Sequence, residues 1–139
     1  MRCRDLEAEL SLWLRKPDAP YELIVDDGAV RVCAYAQGTR LEIALDLPSH
    51  DDALLDAALQ LAHTSLQRFP AALARAPKDG RLWLVSEHRG TALPGDLLDL
   101  LEVILNQRDA WQLSLAQHIR RIPGTGLRPT ILAEDSRYA

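Results

Sequence analysis

The chain has 139 residues, 47% of them hydrophobic, and a net charge of −4 from 16 basic and 20 acidic side chains. That is the size of one domain with its own core, and its acidic balance weighs against nucleic acid or an anionic membrane as partner, because both need a basic footprint. Cys3 and Cys33 are too few for a disulfide framework, residues 1–7 hold no apolar signal-peptide core, and no run approaches the ~20 apolar residues of a bilayer span, so a soluble cytoplasmic protein is expected.

Residues 5–15 read as a helix. Leu6, Leu10, Trp13 and Leu14 share one face at i, i+4, i+7 and i+8, and Pro17 and Pro20 end the run. Leu12 lies off that stripe, either as an exposed leucine or as a widening of the apolar face for a partner. Three alternating runs follow, over 21–26, 30–37 and 41–47. Asp27-Gly28 and Gly38 supply the turns between them, which predicts a three-stranded meander with one strongly apolar face. Its other face is mixed and carries Ile24, Cys33, Tyr35 and Ala44.

Ser49 or Asp51 is expected to cap a second helix with the stripe Leu54, Leu55, Ala58, Leu61, Ala62 and Leu66. Ala53, Ala57 and Ala58 allow close approach, within the subunit or between subunits. Residues 68–76 contain helix-favouring alanines but also Pro70; with the Lys78-Asp79-Gly80 turn and a clear strand over 81–87, an edge strand in a hairpin is the better reading. Leu82 and Leu84 face one side, and Trp83 and Val85 the other. Pro94 suits the first turn of a last helix whose stripe is Leu97, Leu101, Ile104, Arg108, Trp111 and Leu115. Residues 1–117 thus form one α+β domain, with an antiparallel twisted sheet and three helices in the order α-βββ-α-ββ-α. Residues 118–139, broken by Pro123 and Pro129, read as a loosely tethered tail.

No chemistry is legible. His50, His63, His88 and His118 lack the i, i+4 spacing of a zinc helix and no Cys-x-x-Cys occurs, so no metal or cofactor is expected. Cys33 falls mid-strand, where a thiol acts as a small hydrophobe. Gly124-x-Gly126 follows a helix and has no P-loop lysine. The Asp26-Asp27 and Asp51-Asp52 pairs have turn or capping roles. Trp13, Trp83 and Trp111 are large anchors, in the core by default and partner-facing as the sharper alternative.

The element order over about residues 5–117, the turn into a strand at Asp79-Gly80-Arg81-Leu82-Trp83-Leu84, and the apolar last helix ending in Ala110-Trp111 resemble the class I type III secretion chaperones, including the Tir chaperone group. The resemblance implies a bacterial, cytoplasmic homodimer without enzymatic activity. Such a dimer binds the extended N-terminal segment of one effector, keeps it fit for export, and presents it to the secretion apparatus, a further partner. Cargo contacts would fall on Leu10, Leu12, Leu14, Ile24, Cys33, Tyr35 and Trp83. The dimer interface would use the second helix and fourth strand, through Leu54, Ala57, Ala58, Leu61, Phe69, Ala71 and Leu73. Pro70 and the proline-broken tail depart from the pattern.

The residues themselves point the same way, because a sheet apolar on both faces needs cover on both. Two other readings stand beside the chaperone: a regulatory protein on the same fold that sequesters a transcription regulator or another chaperone, and, less favoured, a small thiol- or histidine-dependent enzyme.

Overall fold

A computed structural model describes residues 3–47, 52–65 and 67–121. Eight elements follow in order: α1 (Cys3–Arg15), β1 (Tyr21–Val25), β2 (Gly28–Tyr35), β3 (Gly38–Ala44), α2 (Asp52–Ser65), β4 (Ala72–Arg75), β5 (Leu82–Arg89) and α3 (Pro94–Arg121). The strands form one antiparallel sheet in the order β1-β2-β3-β5-β4. The expected α-βββ-α-ββ-α order is therefore present. The edge strand expected over 68–76 is present but shorter: β4 spans Ala72–Arg75, and Pro70 lies two residues ahead of it, where no ladder amide is missed.

Alternation along the strands builds two unlike faces. Val30, Val32, Leu41, Ile43, Leu82 and Leu84 are buried and meet Leu10 of α1, Leu54 and Ala58 of α2, and Leu97, Leu101, Ile104, Trp111 and Leu115 of α3 in one core. Most of the opposite face, including Ile24, Arg31, Cys33, Tyr35, Trp83 and Glu87, stays partly or fully exposed.

α3 organises the helical layer. Pro94 is its first residue, and the Asp96 carboxylate reaches back to accept the Leu93 amide at 3.0 Å, half of a capping box. Three polar side chains further along tie it to separate parts of the chain. Gln107, fully buried, accepts the Ala71 N–H and donates to the Ala71 carbonyl, both at 3.0 Å. Arg108, 3% exposed, donates to the Val25 carbonyl at 3.0 Å. Gln112 accepts the Asp46 amide at 2.8 Å.

Four details differ from expectation or fall beyond it. The β1–β2 turn residues are Asp26 and Asp27, at φ 49° and 64°, one position earlier than the Asp27-Gly28 reading. Gly28 instead leaves room for Arg108, since a Cβ there would lie 2.5 Å from Arg108 Nη1 and the guanidinium would have to shift from its place beside Val25. α3 runs four residues past 117, so 118–121 belong to the helix rather than to a tail. The expected caps Ser49 and Asp51, with Leu66 and residues 122–139, lie outside the described residues.

Candidate binding surfaces

The residues expected to contact a partner divide between two sides of the sheet. Leu10, Leu12 and Leu14 lie on α1 in the helical layer, whereas Ile24, Cys33, Tyr35 and Trp83 share the open face. Leu10 is 2% exposed, so it is a core residue rather than a contact surface. Its position on the α1 stripe aims it at α3, and the same periodicity that made it look available buries it. Leu14 is half-buried against the core. Leu12 is 64% exposed, because it sits off the stripe. Trp13 closes the helix end by donating its indole N–H to the Ala19 carbonyl at 2.7 Å.

On the open face, Ile24 of the edge strand β1 is 68% exposed. Trp83, the second residue of β5, is half-buried opposite Ala44 of β3 and Ala74 of β4. The Arg31 guanidinium lies 5.3 Å from its ring centroid and that of Arg81 5.6 Å, so the indole is held between two cations. Arg31 also pairs with Glu22 at 3.1 Å and Glu42 at 3.4 Å, and Arg40 pairs with Glu42 at 2.8 Å. Burial first, and then the Glu42 carboxylate, push the Cys33 thiol up from its ordinary range. The neighbouring Glu87 carboxylate, followed by burial, raises the Tyr35 hydroxyl likewise. Neither change activates a nucleophile; both hold the group neutral. Beside Trp83 an open depression of about 470 Å³ is lined by residues that include Arg31, Glu42, Arg75, Lys78 and Val85.

The residues expected at a subunit interface also divide. Leu54, Ala57, Ala58 and Ala71 are already buried within the subunit. Leu54, Ala57 and Ala58 belong to the packed core, and Ala71 is held by Gln107. Leu61, Phe69 and Leu73 remain half-exposed. The sequence reading passed over Leu59, half exposed on the outer side of α2, and Leu93, exposed just before α3. Both lie off the apolar stripes, and that position was the available signal.

Among the described residues no group of three His, Cys, Asp or Glu side chains stands close enough to hold a metal, and no helix is long and apolar enough to cross a membrane.

No family model and no curated relative matches the sequence. Solved structures do match. One chain of the HopA1–SchA chaperone–effector complex superposes with a TM-score of 0.57 at 16% identity, over 81% of this chain and 98% of that one. One chain of the heterodimeric ExoU–SpcU complex, from the type III secretion system of Pseudomonas aeruginosa, superposes with a TM-score of 0.53 at 19% identity, over 78% and 98%. At such identities the likeness is one of fold. The chain has a three-helix, five-strand α+β fold shared with both matched chains, and nearly the whole of each matched chain is contained in it.

Proposed function

We propose that this protein is a non-enzymatic chaperone of type III secretion, working in the cytoplasm as a homodimer. It binds the extended N-terminal segment of an effector and keeps it soluble and competent for export. The observation that carries this reading is the fold shared with a chain of one chaperone–effector complex and a chain of one heterodimeric type III secretion complex. The exposed Leu12 on α1 and Ile24 on the open face, with the half-buried Trp83, give an unfolded segment places to bury alternate side chains. A disordered cargo loses ordering entropy on binding and recovers it by burying a large area. Pairing of two subunits through α2 and β4 would cover Leu59, Leu61, Phe69 and Leu73.

The test is co-expression with the protein encoded by the neighbouring reading frame, intact and lacking its N-terminal segment. The expected result is a complex that needs that segment, contains two copies of this chain, and raises both solubility and export of the partner. A partner that is retained inside the cell as a transcription regulator would favour the regulatory reading. Absence of any exported partner would refute the chaperone.

A further inference from the structure

The rim of the Trp83 depression has an electrostatic character that the rest of this acidic chain lacks. Four cations surround it: Arg31, Arg75, Lys78 and Arg81. Arg31 is neutralised by Glu22 and Glu42. Glu42 is further committed to Arg40, and one carboxylate, Asp79, shares the rim and accepts the Arg81 backbone N–H at 2.9 Å. Arg75, Lys78 and Arg81 therefore form no ion pair among the described residues. All three come from the β4–β5 hairpin, within a few residues of the half-buried indole. Three cations without an ion pair among the described residues, against the one carboxylate of Asp79, leave the rim net positive on a chain of net charge −4 and favour a carboxylate-bearing occupant. The apolar floor of Trp83 and Val85 asks for a large aliphatic or aromatic side chain next to it. A nucleic acid fits less well, because the carboxylates of Glu22, Glu42 and Glu87 share this face and repel phosphates.

We infer that this depression captures an extended peptide segment in which a large apolar residue is flanked by acidic ones. The apolar side chain lies on Trp83 and Val85, and the carboxylates reach Arg75, Lys78 and Arg81. The inference rests on the reading of this chain as a binder of extended segments, and it adds the chemistry that one of its surfaces selects.

The experiment follows the Trp83 indole N–H resonance of the full chain, assigned with Trp83→Phe, during titration with three synthetic peptides that differ only in a central Glu-Leu-Glu, Gln-Leu-Gln or Lys-Leu-Lys. The expected result is a shift with the acidic peptide, at an affinity roughly tenfold above the glutamine peptide at low salt and declining as salt rises. The triple variant Arg75→Gln, Lys78→Gln, Arg81→Gln should keep the native circular dichroism and thermal transition, shift the Trp83 resonance of the free chain because Arg81 lies over the ring, and lose that roughly tenfold preference. Equal binding of the acidic and glutamine peptides overturns the inference, as does displacement of the acidic peptide by a single-stranded oligonucleotide. So does a Trp83 shift on dilution alone, which would mark a second copy as occupant, or one caused by Glu134→Gln with Asp135→Asn, which would mark the chain's own C-terminal segment. If the exported partner binds the triple variant as tightly as the native chain, this inference fails and the chaperone reading stands. If no exported partner exists while the acidic peptide still binds selectively, the reverse holds.

Discussion

Gln107 and Ala71 exchange two hydrogen bonds in a dry setting, so the amide acts as a substitute ladder partner for the backbone just ahead of β4. Gln107→Leu keeps the volume but strands a buried N–H and a buried C=O. Each such group costs about 1–3 kcal/mol, so urea denaturation should show a loss of roughly twice that without a change of fold. Cys33 makes a second prediction at this scale. With its pKa raised by burial, the thiolate fraction near neutral pH lies below that of an ordinary cysteine. In a Cys3→Ser background, iodoacetamide should label Cys33 more slowly than a free thiol at neutral pH, and the rate should keep climbing above the pH at which the free thiol levels off. Mass spectrometry of the modified fraction against time reads this directly; labelling at the rate of a free thiol at neutral pH would contradict the assigned environment.

At the scale of elements, α3 is the spine on which the two edges of the sheet are hung. Gln107 reaches the β4 edge and Arg108 the β1–β2 hairpin, from neighbouring positions on one helix. Arg108 brings a charge into the layer, with Asp26 at 3.7 Å and Asp109 at 3.2 Å as partners, both more exposed than the guanidinium. Its donation to the Val25 carbonyl matters more to geometry than these exposed pairs do to stability. Gly28 makes room for it. Gly28→Ala should therefore destabilise by about 1–3 kcal/mol, the usual range for overpacking. The effect should be partly relieved when Arg108 is shortened to alanine, since the two positions share one space. A double-mutant cycle by chemical denaturation measures the coupling, and strict additivity would argue against the contact.

For the whole molecule, the decisive property is the mismatch between its two sheet faces. The helices bury the centre of one side and leave the other to Trp83, Ile24 and a lattice of arginines and glutamates. Two substitutions on α2 separate folding from pairing. Leu54→Asp places a carboxylate in the core, where an unpaired charge costs several kcal/mol, and should abolish the cooperative thermal transition seen by circular dichroism. Leu59→Asp alters only a side chain exposed in the single subunit and should leave that transition nearly unchanged. If α2 forms the dimer face, light scattering should nevertheless report the Leu59→Asp variant as a monomer. A dimer of undiminished affinity would remove α2 from the interface.

The sequence by itself determined the element order, the meander, the edge character of the segment after Pro70, and the apolar stripe of α3 down to Arg108, because hydrophobic period and turn residues are local signals. It also separated Trp83 from Leu82 and Leu84 by strand alternation alone. Only the tertiary structure decided that Leu10 and Ala71 are interior, that Gln107 is fully buried, that Gly28 serves Arg108 eighty residues away, and that Arg81 and Arg31 flank one indole. Those facts depend on which distant strand or helix arrives opposite a given side chain. Periodicity states that a face will be covered, but not by what, nor which polar groups will find partners there.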